Sequence, residues 1–214
     1  MGGAAVEKID LKKKYKDLYN PSGRSASLVD VPPLKFVMMD GVIPAGGSPD
    51  TAPDFANAMT ALYGISYGLK FASKKREVDP FDYAVMPLEA LWWVQSGKFA
   101  LGRVEPWFFT AMIMQPERIS DDMVEAARAE LAAKKSELDL SGLRFEDFHE
   151  GLSVQILHVG PYSEEQGSLE TMEAFATEQG YRFHGKHHEI YRGDPRRAKP
   201  ENLKTVLRHP VLPL

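Results

Sequence analysis

An α+β fold is predicted by three features of the sequence: two pseudo-symmetric β-α-β-β modules side by side, with antiparallel sheets and their helices on one face. The apolar patterning runs strand, helix, strand, strand, and that order occurs twice. Turn residues bound each helix in the order, Gly46-Gly47-Ser48-Pro49 before the first, Gly160-Pro161 before the second and Gly180 after it. A separate helical stretch, Ser120 to Leu138, stands between the two occurrences. It divides the chain into a module at about 28–118, a linking helix at about 119–140 and a module at about 150–210.

Residues 1–27 are polar and basic, with Lys12-Lys13-Lys14 ahead of Tyr15-Lys16-Asp17-Leu18-Tyr19, and read as a solvated N-terminal extension. Leu34 to Ile43 forms the first strand, ended by Pro44 and the glycine-rich turn. The helix from Pro53 to Lys74 follows, then strands over Tyr83 to Val94 and Trp107 to Gln115 joined through a loop holding Ser96-Gly97-Lys98. In the linking helix Ser120 is the N-cap, Asp121 and Asp122 complement the dipole in the first turn, and Lys134 and Lys135 do so near its end. The second module repeats the order with a strand over Leu152 to Val159, a helix from Glu164 to Gln179, and strands over Arg182 to Tyr191 and Asn202 to His209. Asp194-Pro195-Arg196-Arg197, with Lys199, reads as the hairpin turn between those last two strands.

Composition narrows the function. The chain has 214 residues, 43% of them hydrophobic, enough to bury a real core. Against 30 acidic residues stand 26 basic ones, a net charge of -4 without the positive excess that phosphate-backbone binding needs, so nucleic acid is not an expected direct partner. There is no cysteine, which excludes disulfides, thiolate metal sites and a cysteine nucleophile. Neither a secretory leader nor an apolar run long enough to span a bilayer is present, so a cytoplasmic location is expected.

Two strand segments each place a glutamate among apolar and aromatic residues: Met86-Pro87-Leu88-Glu89-Ala90-Leu91-Trp92-Trp93 and Lys186-His187-His188-Glu189-Ile190-Tyr191. They occupy matching places in the two modules, so both carboxylates are expected to face one aromatic-lined ligand cleft. Alternation puts Ala84, Met86, Leu88, Ala90, Trp92 and Val94 towards the helices, with Glu89, Leu91 and Trp93 on the other face. On the later strand, apolar Ile190 marks the helix side, and His187, Glu189 and Tyr191 fall on the face away from the helices. Pro87 admits a bulge that would invert the register, which keeps Trp92 beside Trp93 as a ligand-binding candidate. The competing reading places Glu89 and Glu189 at strand ends or in ion pairs with Arg103, Arg192 or Arg208.

The sequence resembles the GyrI-like family of small-molecule-binding proteins over roughly residues 28–210. The likeness is carried by Gly160-Pro161-Tyr162-Ser163, His187-His188-Glu189-Ile190-Tyr191, Asp194-Pro195-Arg196-Arg197 and Leu203-Lys204-Thr205-Val206-Leu207-Arg208. In the first half it rests on Val31-Pro32-Pro33-Leu34-Lys35-Phe36, Ala61-Leu62-Tyr63, Tyr67-Gly68-Leu69-Lys70-Phe71 and the segment around Glu89. The resemblance implies a stand-alone member, a cleft between the modules, and one of several related functions. Similar domains sense effectors in multidrug-responsive transcription activators, inhibit DNA gyrase, or hydrolyse the strained cyclopropane rings of DNA-alkylating toxins. Fold does not decide among these. A sensor needs a fused helix-turn-helix domain, for which the 27 or so residues ahead of the first strand are too few.

In the hydrolase version, a form of detoxification, Glu189 is the general base that takes a proton from water. Tyr191 or Glu89 donates to or orients the developing enolate. Burial raises a carboxyl pKa from about 4.3 towards neutrality and improves it as a base. In the binder version, which sequesters or senses hydrophobic drugs, the same carboxylate neutralises a delocalised cation stacked on aromatic rings. Neither version calls for a cofactor. Tyr63 and Tyr67 share a face of the first helix, extended by Phe55 and Phe71. Alternate members of Trp107, Phe108 and Phe109 should reach the cleft, Met112 and Met114 could line it, and His187 shares the face of Glu189.

Two motifs carry less. Gly64-Ile65-Ser66-Tyr67-Gly68 matches the G-x-S-x-G pattern, but a helical surround denies it the strand-to-helix turn of a nucleophile elbow. His184, His187 and His188 suggest a metal, yet neighbouring strand residues face opposite ways, and no metal is expected.

Overall fold

A computed structural model describes residues 6–95, 105–193 and 198–214. The expected loop at Ser96-Gly97-Lys98, Arg103 and the turn at Asp194-Pro195-Arg196-Arg197 lie outside the described residues. The chain begins with β1 (Glu7–Ile9), α1 (Leu11–Lys14), α2 (Lys16–Tyr19) and β2 (Ser27–Val31), none of which the sequence pattern disclosed. β3 (Leu34–Ile43) and α3 (Pro53–Lys74) have the expected bounds. Pro53 suits the first turn of α3, where its missing N–H costs no helical hydrogen bond.

The strand expected over Tyr83 to Val94 is divided into β4 (Phe81–Tyr83) and β5 (Glu89–Trp93). Pro87 lies in the irregular stretch between them, where a residue with no N–H leaves no ladder bond unmade. β4 pairs in parallel with β1, away from the main sheet. β6 (Trp107–Met114), α4 (Asp121–Lys134), β7 (Arg144–Phe148), β8 (Gly151–Val159) and α5 (Gln166–Glu178) follow. The next expected strand is also interrupted, at Gly185, whose φ of 72° belongs to the left-handed region. It gives β9 (Tyr181–Phe183) and β10 (His187–Tyr191), before β11 (Lys204–Pro213).

The fold is α+β, as predicted, but its main sheet is a single nine-stranded one. Its order is β2-β8-β11-β10-β5-β6-β3-β7, with β9 paired to β11. The two halves of the chain meet where β10 pairs antiparallel with β5, an arrangement that leaves neither strand with an open edge. α3 packs over β3, β4 and β6, α5 over β8, β9 and β11, and α4 outside α3. Gly64 permits that helix crossing, since a Cβ there would stand 2.8 Å from Leu131 Cδ2. β5 and β10 therefore run between the territories of α3 and α5, at the centre of the sheet.

Both faces of the sheet are interior. The helix side carries Val37, Met39, Ala90, Trp92, Phe109, Ala111, Ile113, Val154, Ile156 and Leu207, all buried. The opposite face carries Phe36, Met38, Leu91, Met112, Met114, Ile190 and Val206, buried as well. What covers part of it is the N-terminal segment expected to be solvated. Leu11, Leu18 and Tyr19 are each 5% exposed and join the main core, while lysines 12–14 stay at the surface.

Candidate functional site

Glu189 lies on the helix side of the sheet, not on the face away from the helices. Its register partners are Ala90 on β5 and Leu207 on β11, and His187 and Tyr191 share its side. Ile190 misled the expectation because the N-terminal segment makes the opposite face apolar too. Glu189 is 7% exposed. Its Oε2 accepts a hydrogen bond from Tyr191 Oη at 2.7 Å, and Trp92 Nε1 donates to that hydroxyl at 3.1 Å. His187 Nε2 stands 3.3 Å from Glu189 Oε1. Burial, and next the Glu189 charge, push the Tyr191 phenol well above its usual pKa, so it keeps its proton and acts as a donor.

Aromatic rings wall this carboxylate. Trp92, the indole of β5 that faces the helices, stacks on Phe55 of α3 with centroids 5.6 Å apart. Trp107 meets it edge-on at 6.1 Å, and Phe109 lies tilted at 5.7 Å. Tyr162, just after β8, packs edge-on against Tyr191 at 5.8 Å. The central pair β5 and β10 thus carries an acid, its donor and an aromatic wall where neither α3 nor α5 is centred.

A second carboxyl, missed in the sequence, joins Glu189. Glu165 immediately precedes α5 and is 1% exposed; its Oε1 is buried without a hydrogen-bond partner. Its side chain makes no capping bond to the helix it precedes. Burial first, and the neighbouring Glu189 second, push its pKa up to about 9, against a smaller opposing effect of the Thr205 hydroxyl. At neutral pH it is a carboxylic acid. The one signal in the sequence was its place after Gly160-Pro161-Tyr162, a segment that carried the family likeness. A glutamate at a helix start nevertheless reads as a solvated partner of the dipole.

Residues 27–212 match the GyrI-like small molecule binding domain family. The chain belongs to this family. Three solved structures from Listeria innocua are similar over their whole length. One is an uncharacterized conserved protein, 37% identical with a TM-score of 0.86, the match covering 95% of this chain and 100% of that one. A hydrolase encoded by lin2189 is 35% identical with a TM-score of 0.84, covering 96% and 100%. A further hydrolase is 34% identical with a TM-score of 0.82, covering 95% and 100%. Comparison with curated proteins yields no match.

The remaining candidates of this GyrI-like domain separate by side of the sheet. Glu89 faces away from the helices and does not share a cleft with Glu189: Ile190 on β10, not Glu189, is its register partner. Its oxygens are consumed structurally. Tyr19 Oη donates to Oε1 at 2.5 Å, and His188 Nε2 lies 3.1 Å from Oε2. His188 Nδ1 reaches Glu150 at 3.0 Å, and Arg208 joins Glu150 at 3.2 Å, Gln155 Oε1 at 3.1 Å and the Leu18 carbonyl at 2.6 Å. Burial works to raise Glu150, but His188 and Arg208 hold it down at about 2. Burial works to lower His188, but Glu150 and then Glu89 bring it up to about 9.

Met112 is opposite Glu89 and Trp93 stacks on Phe108 at 5.8 Å under the Lys186 ammonium, so both also leave the set around Glu189. Trp92, Trp107, Phe109 and Phe55 belong to that set. Tyr63 and Tyr67 continue the stripe outward along α3, Tyr67 being 48% exposed and stacked on Phe71 as well. Ser66 is buried in α3 and accepts from Gln115 Nε2 at 3.0 Å, which accounts for it without a nucleophilic role. Among the described residues no three metal-ligating side chains gather, and no helix is long and apolar enough to cross a membrane.

Proposed function

We propose that this GyrI-like protein hydrolyses hydrophobic electrophiles whose strained ring, of the cyclopropane type, opens on attack by water, with Glu189 as general base. The observation that carries this is the Glu189 carboxylate, buried beside Trp92 and held by the Tyr191 hydroxyl at 2.7 Å. Full-length likeness to two Listeria hydrolases at 34% and 35% identity supports it. A flat apolar substrate lies against Trp92, Phe55 and Trp107. Glu189 takes a proton from water as its oxygen bonds to the strained carbon. Tyr191, itself fixed by Trp92, keeps the base aligned, and ring strain supplies much of the driving force.

The same buried acid within aromatic walls also suits a delocalised hydrophobic cation, which is the non-catalytic alternative. Turnover of a cyclopropane-containing alkylator separates the two. The wild type is expected to form ring-opened product, and Glu189→Gln to lose activity by about 10²-fold or more while still binding the compound. Unchanged turnover in the variant removes Glu189 as base. Tight binding by the wild type with no product selects the cation-binding or sequestering reading.

A further inference from the structure

We propose that Ser168 and His158 form a second reactive centre, a nucleophile and its base, which takes the acyl group of activated carboxylic esters and passes it to water. It lies apart from Glu189 and does not depend on the ring-opening reading above. His158 is on β8 and Ser168 in the first turn of α5, and β11 separates β8 from β10. His158 Nδ1 and Ser168 Oγ are 3.0 Å apart.

The other ring nitrogen decides which of the two gives the proton. His158 Nε2 lies 3.2 Å from the Pro161 carbonyl. A carbonyl oxygen only accepts, so Nε2 carries the hydrogen, and Nδ1 of the neutral ring presents a lone pair. Ser168 is therefore the donor and His158 the acceptor, with a third group orienting the base, as in the activation of a hydroxyl nucleophile. The turn that supplies this carbonyl requires Gly160. Its φ of 143° favours glycine, and a Cβ there would stand 3.3 Å from His158 Nε2.

Ser168 is not used as other helical hydroxyls of the chain are. Thr60, Ser73, Thr171 and Thr177 each donate to the carbonyl four residues back. Ser168 instead turns its hydroxyl off the helix to an imidazole that is 7% exposed, while remaining half-buried itself. A Cβ on the neighbouring Gly167 would meet nothing within 4 Å, so the helix surface beside Ser168 is open. No described side chain caps α5, which leaves N–H groups of its first turn to face an acyl oxygen as it gains negative charge.

The orienting group sets the substrate class. A carbonyl holds the ring in place but brings no negative charge to balance the imidazolium that forms, as a carboxylate would. The pair therefore suits acyl groups whose leaving group departs without strong acid assistance, aryl esters and thioesters, and not amides. Ser168 Oγ bonds to the acyl carbon of an aryl ester while its proton goes to His158 Nδ1. The bond from that carbon to the aryl oxygen breaks, and the phenolate leaves with the electron pair and takes the proton from His158. Water then bonds to the acyl carbon, giving its proton to Nδ1, and Ser168 Oγ departs and recovers that proton. The net reaction is ester plus water to acid plus phenol.

The test measures hydrolysis of 4-nitrophenyl acetate and labelling by an alkyl fluorophosphonate, mapped by peptide mass, well below each variant's melting temperature. The wild type and Ser163→Ala are expected to release 4-nitrophenolate and to carry the phosphonyl group on Ser168. Ser168→Ala should lose both, and His158→Gln should slow labelling by about 10²-fold or more. A second comparison bears on reactivity rather than on folding. The chain has no cysteine, so Ser168→Cys introduces a single thiol. Beside His158 that thiol should react with iodoacetamide roughly tenfold faster at neutral pH than in the Ser168→Cys, His158→Gln double variant. Equal thiol rates in the two backgrounds overturn the proposal, as does a label that maps to another residue. Hydrolysis by Ser168→Ala at the wild-type rate also overturns it, and leaves the Ser168–His158 bond as a staple between α5 and β8.

Discussion

The two strand glutamates show how much a one-position difference in facing changes a residue. Glu189 has one strong donor, Tyr191, on one oxygen, His187 Nε2 at 3.3 Å from the other, and aromatic neighbours that make no demand on either. Glu89 is 1% exposed, and both its oxygens are engaged by Tyr19 and His188, within a chain of charges that ends at Arg208. Removing one member of such a network strands the others, and the network lies on the face of the sheet opposite Glu189. Tyr19→Phe should therefore destabilise the protein by about 1–3 kcal/mol, the cost of leaving a buried carboxylate oxygen without its donor. Ligand affinity and kcat should remain within a few-fold of wild type. Urea denaturation and the turnover assay, run on the same preparation, check the two halves. A selective loss of activity at unchanged stability would return Glu89 to the site.

Element by element, the sequence was most legible where one local pattern was uninterrupted. β3, α3, β6 and β8 have nearly their expected bounds because an alternating or helical run is bracketed by turn residues. It was least legible where an element depends on distant partners. β7 pairs with β3 and β2 with β8, yet Arg144–Phe148 and Ser27–Val31 have little apolar alternation of their own. Facing was legible on β5, where Trp92 and Glu89 fell on the expected sides despite Pro87. On β10 the assumption that apolar means helix side failed, since Ile190 is buried on the opposite face. The cause is the N-terminal segment, whose lysines hid the inward Leu11, Leu18 and Tyr19. Leu18→Ala tests this covering role. A solvated extension would tolerate it, while a residue 5% exposed in the main core should cost about 2–5 kcal/mol. The urea midpoint would fall, and proteolytic cleavage near residues 10–20 would begin at lower denaturant.

Across the whole molecule, the buried charges on the two faces combine into a pH dependence of stability with a definite sign. His188 is raised from 6.5 to about 9 in the folded chain. Its contribution is complete below about pH 6.5 and is lost as pH rises through about 9. Glu165 is raised from 4.5 to about 9, so the folded protein again holds a proton that the unfolded chain has released, and stability again declines towards pH 9. Glu150 is depressed from 4.5 to about 2, and its contribution is present above pH 4.5 and lost as pH falls through about 2. His209, lowered from 6.5 to about 4, stays neutral when folded and costs stability as pH drops below 6.5. From about pH 6.5 to 9 the folded state thus binds up to two more protons than the unfolded state. Stability should fall with rising pH at no more than about 1.4 kcal/mol per pH unit for each proton. The maximum is expected at about pH 5–6.5, on the acid side of neutrality. Urea titrations at pH 6, 7.5 and 9 measure the slope, and a proton-release assay on unfolding at pH 7.5 counts the protons. His188→Gln should remove one of the two protons at a large cost in stability, because Glu150 and Glu89 lose their shared partner. Glu165→Gln should remove the other at a smaller cost, because only the Thr205 hydroxyl acts on its side chain and its Oε1 has no partner. Equal costs for the two variants would mean that the helix-side carboxyl, like the network on the far face, is part of the scaffold.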